Sequence, residues 1–491
     1  MSALDELCAR ALAREAGAPA IEFEHRWYCW GQLRDLAERL SVLIDASGAG
    51  PQAAVALVAR NHPAAIAALL GLIARRRSVR MVYPFQSAAA LARDLTRLAP
   101  AVVVMHAQDF APDVRAALER QGSAAIVLNA MEIAAAPGLE RAHGPDRARG
   151  TAQPGIEILT SGTTGAPKQF AVSYELIARH HVGDASIDLS QQPPTLLAFP
   201  LGNITGIYST LPPLLKGQRA VLLERFSVAG WHDYVLRFHP QATGMPPAGV
   251  QMLLDANIPR EDLASIKRFG TGAAPLDPSV HRAFEERYGI PILLSYGATE
   301  FGGPVTAMTP ELHAVWGARK FGSVGRALPG VQLRVLDPDS GEVLPAGKEG
   351  VLEVISPRIG PEWIRTSDIA LIDEDGFLFH RGRADGAIMR GGFKLLPETI
   401  ERALLLHPAV SAAAVVGIPD QRLGQVPAAA VQLKPGAAQP SGDALEAHLR
   451  AHRLATHIPT VWRFVDALPR TPSLKVHRPG VRALFETAAS E

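Results

Sequence analysis

Residues 158–168 read Ile158-Leu-Thr-Ser-Gly-Thr-Thr-Gly-Ala-Pro-Lys168, ILTSGTTGAPK, and follow directly on Gly155-Ile156-Glu157 in a mostly apolar stretch, IEILT. The apolar run reads as a buried strand that ends in a loop of small and hydroxylated residues. Without large side chains, the backbone N–H groups of such a loop can turn inward and form an anion nest. Thr160, Ser161, Thr163 and Thr164 add hydroxyls, Gly162 and Gly165 keep the loop open, and Lys168 can neutralise a phosphate. The Walker pattern requires Gly-Lys-Ser/Thr at the start of a helix, and this loop departs from it. A glycine-rich surface turn is the plainer alternative. Two glycines, four hydroxyls and a Pro-Lys pair after an apolar strand favour phosphate binding.

Outward from this loop the chain alternates helix-like and strand-like patterns. On the N-terminal side, Leu4–Ala16 and Gln32–Ile44 carry apolar residues at helical spacing, Ala20–Phe23 is a short strand, and VALVAR precedes a long helix from Ala64. AVVVM and AAIVLN are strands on either side of a helix over Val114–Gln121. Such alternation predicts a parallel, two-sided α/β sheet. Residues 135–155 are rich in Pro, Gly, Ala and charge and read as a surface linker. A second α/β stretch runs on to about residue 330. VQLRVLD, GVLEVIS and DIALIDEDGFLFH then read as strands joined by Asp-Gly and Pro-Gly turns, a β-rich subdomain. After Arg383 comes a mixed tail. A helix over Pro397–His407 opens with proline and closes before Pro408; strands VSAAAVVG, AAAVQL and TVWRFV surround a helix from Asp443 to Arg453. The expected fold class is α/β. A large N-terminal domain over residues 1–382 contains two α/β subdomains and a β-rich one, and a small, mobile α+β domain covers residues 383–491.

The chain has 491 residues, with 49 basic against 48 acidic side chains, and 47% are hydrophobic. The near-neutral balance gives no reason to expect a nucleic-acid partner. Cys8 and Cys29 are the only cysteines, too few for a disulfide scaffold or a cysteine-rich zinc site. The longest strongly apolar run, Ala64–Ala74, is too short to span a bilayer, and the first residues lack a basic-then-apolar signal pattern. A cytoplasmic location without a membrane span is the expectation. Only eight lysines occur, so a lysine inside a motif carries information.

Three further motifs bear on chemistry. SYGATEFGG, Ser295–Gly303, follows the strand-like IPILL, and ligands on open α/β sheets sit at the carboxyl ends of strands. Tyr296 offers a flat face for a base, and Thr299 and Glu300 offer oxygens to a magnesium ion carried by a nucleotide. Upstream, GTGAAPL (Gly270–Leu276) is small enough for its backbone to approach a planar group. In RTSDIALIDEDGFLFHRGRADGAIMRGG (Arg365–Gly392), Asp368 could accept from two vicinal ribose hydroxyls and Arg383 could donate to the same sugar or a phosphate. In PRTPSLKVHR (Pro469–Arg478), Lys475 sits in a Pro- and Ser-containing loop. Taken singly, each has a bland reading: a solvated glutamate, an Asx turn, an exposed lysine.

Together, in this order and spacing, the four motifs resemble the adenylate-forming superfamily of acyl-CoA synthetases, nonribosomal adenylation domains and luciferases, over essentially the whole chain. The resemblance implies that Thr160, Ser161, Gly162, Thr163, Thr164, Gly165 and Lys168 hold the β- and γ-phosphates of ATP. It implies that Gly272, Ala273, Ala274 and Pro275 border the adenine and that Tyr296, next to Gly297, stacks on it. Thr299 would contact the α-phosphate, Glu300 would ligate Mg²⁺, Asp368 would bind the ribose, and Arg383 would open the C-terminal domain, with a hinge at Asp385. Lys475 falls at the family's catalytic lysine, with Thr163 and Glu300 as its partners in catalysis. The implied reaction joins a carboxylic acid to AMP with loss of pyrophosphate, and then passes the acyl group to the thiol of coenzyme A. Positioning and charge neutralisation do most of that work.

Several positions depart from the family pattern. Gln169 stands where Gly is usual, Tyr174 where His is common, and Ser367 where Gly precedes the ribose-binding Asp, which requires a negative φ at Ser367. RRRSVR, Arg75–Arg80, stands in a usually small, glycine-containing stretch; a solvated helix end is favoured over a site for CoA phosphates or an acidic carrier. The region FPLGNITGI supplies no carboxylate to pair with an amino acid's ammonium, so an uncharged acid is expected. Asn203, Ile204, Thr205, Gly244, Met245, Gly302 and Gly303 are expected to border the acyl pocket. An aromatic, alicyclic or medium-chain acid is the expected substrate and coenzyme A the expected acceptor. A stand-alone enzyme loading a carrier-protein thiol is the alternative. A nucleotide binder without turnover ranks last, because Lys168, Glu300, Asp368 and Lys475 are all present.

Overall fold

The computed structural model describes residues 3–143, 154–160, 168–384, 386–390, 393–451, 457–471 and 474–486. The chain divides into two compact units, Met1–Pro240 and Gln241–Glu491.

The first unit is built on a seven-stranded sheet in the order Glu132–Ala135, Ala124–Asn129, Val102–His106, Val55–Val58, Val79–Val82, Gly155–Thr160, Lys168–Ser173. The five inner strands are parallel and the two outer ones antiparallel. Helix Pro63–Ala74 is buried along almost its whole length, which is why its sequence is apolar on every side and not on one stripe. Pro63 at its first position and the His62 ring, which accepts from the Ala64 N–H at 3.1 Å, set where it starts. A smaller four-stranded sheet orders Thr195–Leu197, Ala220–Leu222, Pro19–Phe23 and Arg26–Cys29.

The strand Val79–Val82 and the helix Ala88–Leu98 are additions to the sequence reading, which passes from Ala74 straight to AVVVM. Arg80 hides the strand. It lies in register with Glu157 on the neighbouring strand, and the two form an ion pair at 2.8 Å with side chains 12% and 9% exposed. Arg80 also donates to the Leu98 carbonyl at 3.0 Å. Two charges in a buried sheet break the apolar run that marks a strand, and they persist there because each is hydrogen-bonded. The linker reading of 135–155 also needs amendment at its start. Ala136 and Leu139 are buried, and their backbones bond to Ala125, so the chain packs against the sheet before residues 144–153, which lie outside the described residues.

The second unit carries three sheets. Ala242–Gly244, Arg268–Thr271 and Ile292–Ala298 run parallel, and Gly303–Ala307 and Arg326–Ala327 extend them antiparallel. Gln332–Leu336, Gly350–Ile355, Ile364–Ile372 and Leu378–Arg383 form an antiparallel meander. In the last sheet Gly424–Leu433 pairs with Val410–Asp420, with Val461–Val465 and, at Gly424, with Ile388–Arg390. Helices Pro397–Leu405 and Arg478–Glu486 pack against Val410–Asp420, which takes only one strand partner among the described residues. The β-rich stretch and the α+β tail therefore have the strands and helices that the sequence predicts.

Candidate functional site

In the second unit the site residues are delivered by strand ends. Ile292–Ala298 carries Tyr296 and Gly297 and runs into a 3₁₀ turn, Thr299–Phe301, that holds Thr299 and the exposed Glu300. Beside it, Gly272 lies so close to Ser295 that a Cβ would come within 2.5 Å of the Ser295 hydroxyl. A Cβ on Gly297 would come equally close, 2.5 Å, to the Gly303 carbonyl. Ala273 takes a left-handed φ of 65°. This backbone leaves no room for larger side chains at Gly272 and Gly297, and it fits a cradle for a flat group.

The meander brings Asp368 and Arg383 opposite each other across Ile364–Ile372 and Leu378–Arg383. The Asp368 carboxylate is 15% exposed and engaged on both oxygens: the Tyr296 hydroxyl donates to Oδ2, and His380 Nε2 lies 3.2 Å from Oδ1. Burial pushes the Asp368 carboxyl up, but His380, Tyr296 and Arg383 outweigh it and hold it below the usual range. The Tyr296 hydroxyl is pushed far up by burial, by Asp368 and by Glu300, so it remains a donor. Ser367 accepts from the Arg383 guanidinium at 2.6 Å. Ser367 is also absent from the residues of positive φ, so serine fits where the family has glycine.

His380 is the site residue that the motif reading misses. Its signal was present: the Asp373–Gly376 turn sets 378–383 against 368–372, and counting back from that turn puts His380 beside Asp368's end of the hairpin. Its ring also lies 5.7 Å from the Tyr296 ring, centroid to centroid.

Lys475 sits in a tight loop. Thr471 N–H donates to its carbonyl at 2.7 Å, its own N–H donates to the Thr471 hydroxyl at 3.1 Å, and Arg470 bridges to Val476. Desolvation lowers the Lys475 ammonium, Arg383 lowers it further, and Glu300 opposes both. Lys475 thus shares one electrostatic environment with Arg383 and Glu300.

In the first unit Asn203 caps the helix Ile204–Leu215, its Oδ1 accepting from Gly206 N–H at 2.7 Å. Ile204 and Thr205 form the first turn of that helix. The turn before it hangs on Asn61, whose amide donates to the Phe199 and Leu223 carbonyls at 3.0 Å each and accepts from Leu201 N–H at 2.8 Å. A Cβ on Gly206 would overlap the Pro200 carbonyl. Of the other acyl-pocket candidates, Met245 is 1% exposed and packs in the core, while Gly244, Gly302 and Gly303 lie at strand and turn ends of the second unit. Ser161, Gly162, Thr163, Thr164 and Gly165 lie outside the described residues, as does Asp385. Thr160 ends one strand and Lys168 begins the next, and the two pair in register.

The arginine run divides: Arg75 and Arg76 stay exposed at the helix end, as expected, whereas Arg77 and Arg80 turn inward. Arg77 bonds Asp45 at 3.1 Å, Arg76 bonds Asp5 at 3.3 Å, and Arg80 is taken up by Glu157. Tyr174, buried, donates to the Arg77 carbonyl and so braces this corner.

Among the described residues no group of three or more His, Cys, Asp and Glu is disposed to hold a metal ion. Glu300 offers a single exposed carboxylate, which fits an ion that arrives with a polyphosphate and draws most of its ligands from it. No described helix is long and apolar enough to cross a membrane.

A family model described as "AMP-binding enzyme" matches residues 8–362, and one described as "AMP-binding enzyme C-terminal domain" matches residues 399–475. An indoleacetate–CoA ligase of Aromatoleum aromaticum is 30% identical over 511 residues, covering 98% of each chain. A sulfoacetate–CoA ligase of Cupriavidus necator is 35% identical over 344 residues, 66% of each chain. Among solved structures, ATP-bound MatB from Rhodopseudomonas palustris superposes with a TM-score of 0.80 at 23% identity, covering 99% of each chain, and shows the same fold.

Proposed function

The chain belongs to the family of AMP-binding enzymes, and from that premise we propose that it is an AMP-forming acid–CoA ligase acting on an uncharged, preferably aromatic, acid. The observation that carries the reading is the cluster of Tyr296, Asp368, His380 and Arg383, an ionised carboxylate held between two aromatic side chains beside a crowded glycine backbone. Such a cluster is suited to a nucleoside: Asp368 accepts from vicinal hydroxyls, the Gly272–Pro275 backbone borders a flat base, and Tyr296 covers it.

Lys475 then has a defined task. Its ammonium neutralises the acid's carboxylate and the α-phosphate oxygens while they approach, when charge gathers on phosphoryl oxygen. Thr160–Lys168 would hold the outer phosphates, Thr299 the α-phosphate, and Glu300 a magnesium ion. That ion, when bound, screens the polyphosphate charge. Coenzyme A is the proposed acceptor in the second step, supported by the ligases that the chain resembles. An aromatic acid is favoured because a relative matched over 98% of its length is named an indoleacetate–CoA ligase. Neither Asn203 nor its neighbours Leu201 and Gly202 offer a charge to a substrate ammonium. Residues 1–382 and 383–491 are proposed as the two functional domains, with Asp385 as the hinge.

The test is pyrophosphate release with Mg-ATP across aryl, alicyclic and fatty acids, with and without coenzyme A. CoA-dependent turnover on aryl acids is the expected result. Pyrophosphate release that coenzyme A does not accelerate would point to a carrier-protein thiol instead.

A further inference from the structure

The helix Pro397–Leu405 touches the chain close to Arg383 and close to Lys475. Glu401 Oε1 accepts from the Val415 N–H at 2.7 Å and from Arg478 Nη1 at 2.7 Å. Arg478 Nη2 reaches Glu401 Oε2 at 3.2 Å and Glu398 Oε1 at 3.3 Å, and Nη1 also donates to the Val415 carbonyl. The other Glu398 oxygen, Oε2, is buried without a hydrogen-bond partner and lies against Gly382, where a Cβ would come within 2.7 Å of it. One helical turn on, Arg402 donates to the Arg381 carbonyl at 3.2 Å. The helix therefore grips the strand just before Arg383. Through Arg478 it also grips the chain three residues after Lys475.

The Lys475 loop is closed by its bonds to Thr471 and by His477 N–H donating to the Pro469 carbonyl at 2.8 Å. Leu474 takes a left-handed φ of 62°. A loop closed on itself transmits the position of its foot to its tip, and the foot is Arg478. An arginine suits that post, because its planar fork fixes direction as well as distance.

We propose that Arg478, held by Glu398 and Glu401, is a positioning residue for acid activation: it sets the loop that carries Lys475 relative to the strand that ends at Arg383. The proposal rests on Lys475 acting in the first half-reaction. It makes Arg478 matter to that step and not to the second. Misplacing a reacting group by an ångström costs about a hundredfold in rate, so a partial release of the anchor is visible in kinetics.

The experiment uses the full chain and measures acyl-adenylate formation and, separately, thioester formation from supplied acyl-adenylate, with melting temperatures alongside. Arg478→Met is expected to lower kcat for adenylation about tenfold or more, to change KM for acid and ATP by less than about threefold, and to spare thioester formation. Arg478→Lys recovers part of the rate. Glu398→Gln, which keeps the shape and leaves Glu401 in place, gives a smaller loss in the same direction and serves if the Met variant does not fold. In a Lys475→Ala background, Arg478→Met has no further effect on adenylation. Equal loss in both half-reactions, or an added loss in the Lys475→Ala background, overturns the proposal. Full adenylation by Lys475→Ala overturns the reading of Lys475 itself. Loss with Lys475→Ala but an unaffected Arg478→Met overturns the positioning alone.

Discussion

Asp368 holds its charge below the ordinary carboxylate range because His380, Tyr296 and Arg383 outweigh burial. Asp368→Asn keeps the shape but weakens what the side chain can accept. A hydrogen bond to a charged group is worth about 1.5–3 kcal/mol, so KM for ATP should rise roughly ten- to a hundredfold, read in steady-state titrations. His380→Phe should raise it less, because only one of the two protein partners of Asp368 is lost. A second pair of side chains makes a pH prediction. His62 and His106 stack edge to face at 4.7 Å, and burial holds them down to about 4 and about 3. Repulsion from Arg60 and from the other ring lowers His106 further. Glu224 works the other way on His62, which must also stay neutral to accept from Ala64 N–H. Both folded values lie below the unfolded value near 6.5. Below that pH the unfolded chain takes up protons that the folded chain refuses. The stability these residues contribute is therefore full above about pH 6.5 and drains away as pH falls toward 4 and 3. Melting temperature followed from pH 7.5 to 5 should decline, and His106→Phe should flatten the decline.

Between the residues and the whole lie the turn 199–203 and its helix. Asn61 makes three hydrogen bonds to the backbone around that turn from a position 1% exposed. Asn61→Ala leaves two carbonyls and an N–H without partners, at about 1–3 kcal/mol for each group left unpaired. The expected outcome is a clear drop in melting temperature together with a raised KM for the acid, and unchanged acid binding would count against the turn's place in the acyl pocket. Elements such as these were unevenly legible. The strand feeding ILTSGTTGAPK, the meander after residue 331 and the helix behind Pro397 were readable, because period and punctuation agree there. Val79–Val82 was not, because Arg80 and Glu157 satisfy one another across a register that only the sheet reveals. At the site, the motifs give Tyr296, Asp368 and Arg383 but not that Tyr296 donates to Asp368, nor that His380 does the bracing. Pairing across that hairpin has to be counted from the Asp373–Gly376 turn and is not carried by any motif. Asn203 was read for its polarity, whereas its oxygen is taken by the helix it caps.

At the scale of the whole molecule, the proposed role of Lys475 requires its charged ammonium, so its protonation can be followed in the rate. Desolvation and Arg383 lower its pKa, so the ammonium is lost at a lower pH than an ordinary lysine's. As pH rises through that value, acid activation should fall while thioester formation from supplied adenylate does not follow. Lys475→Arg should move the alkaline limb upward, even at a reduced rate, as a pH–rate profile of pyrophosphate release would show. The anchor of that lysine has another side. Val410–Asp420 takes one strand partner among the described residues, and at the buried Val415 the backbone N–H and carbonyl of its other side are taken by Glu401 and Arg478. A strand edge left without such partners can recruit further chains. The side chains proposed to aim the lysine thus also occupy backbone groups that another strand would need. In a mutational screen, some variants at Glu401 and Arg478 should lose yield, and those that stay dispersed should lose adenylation while keeping thioester formation.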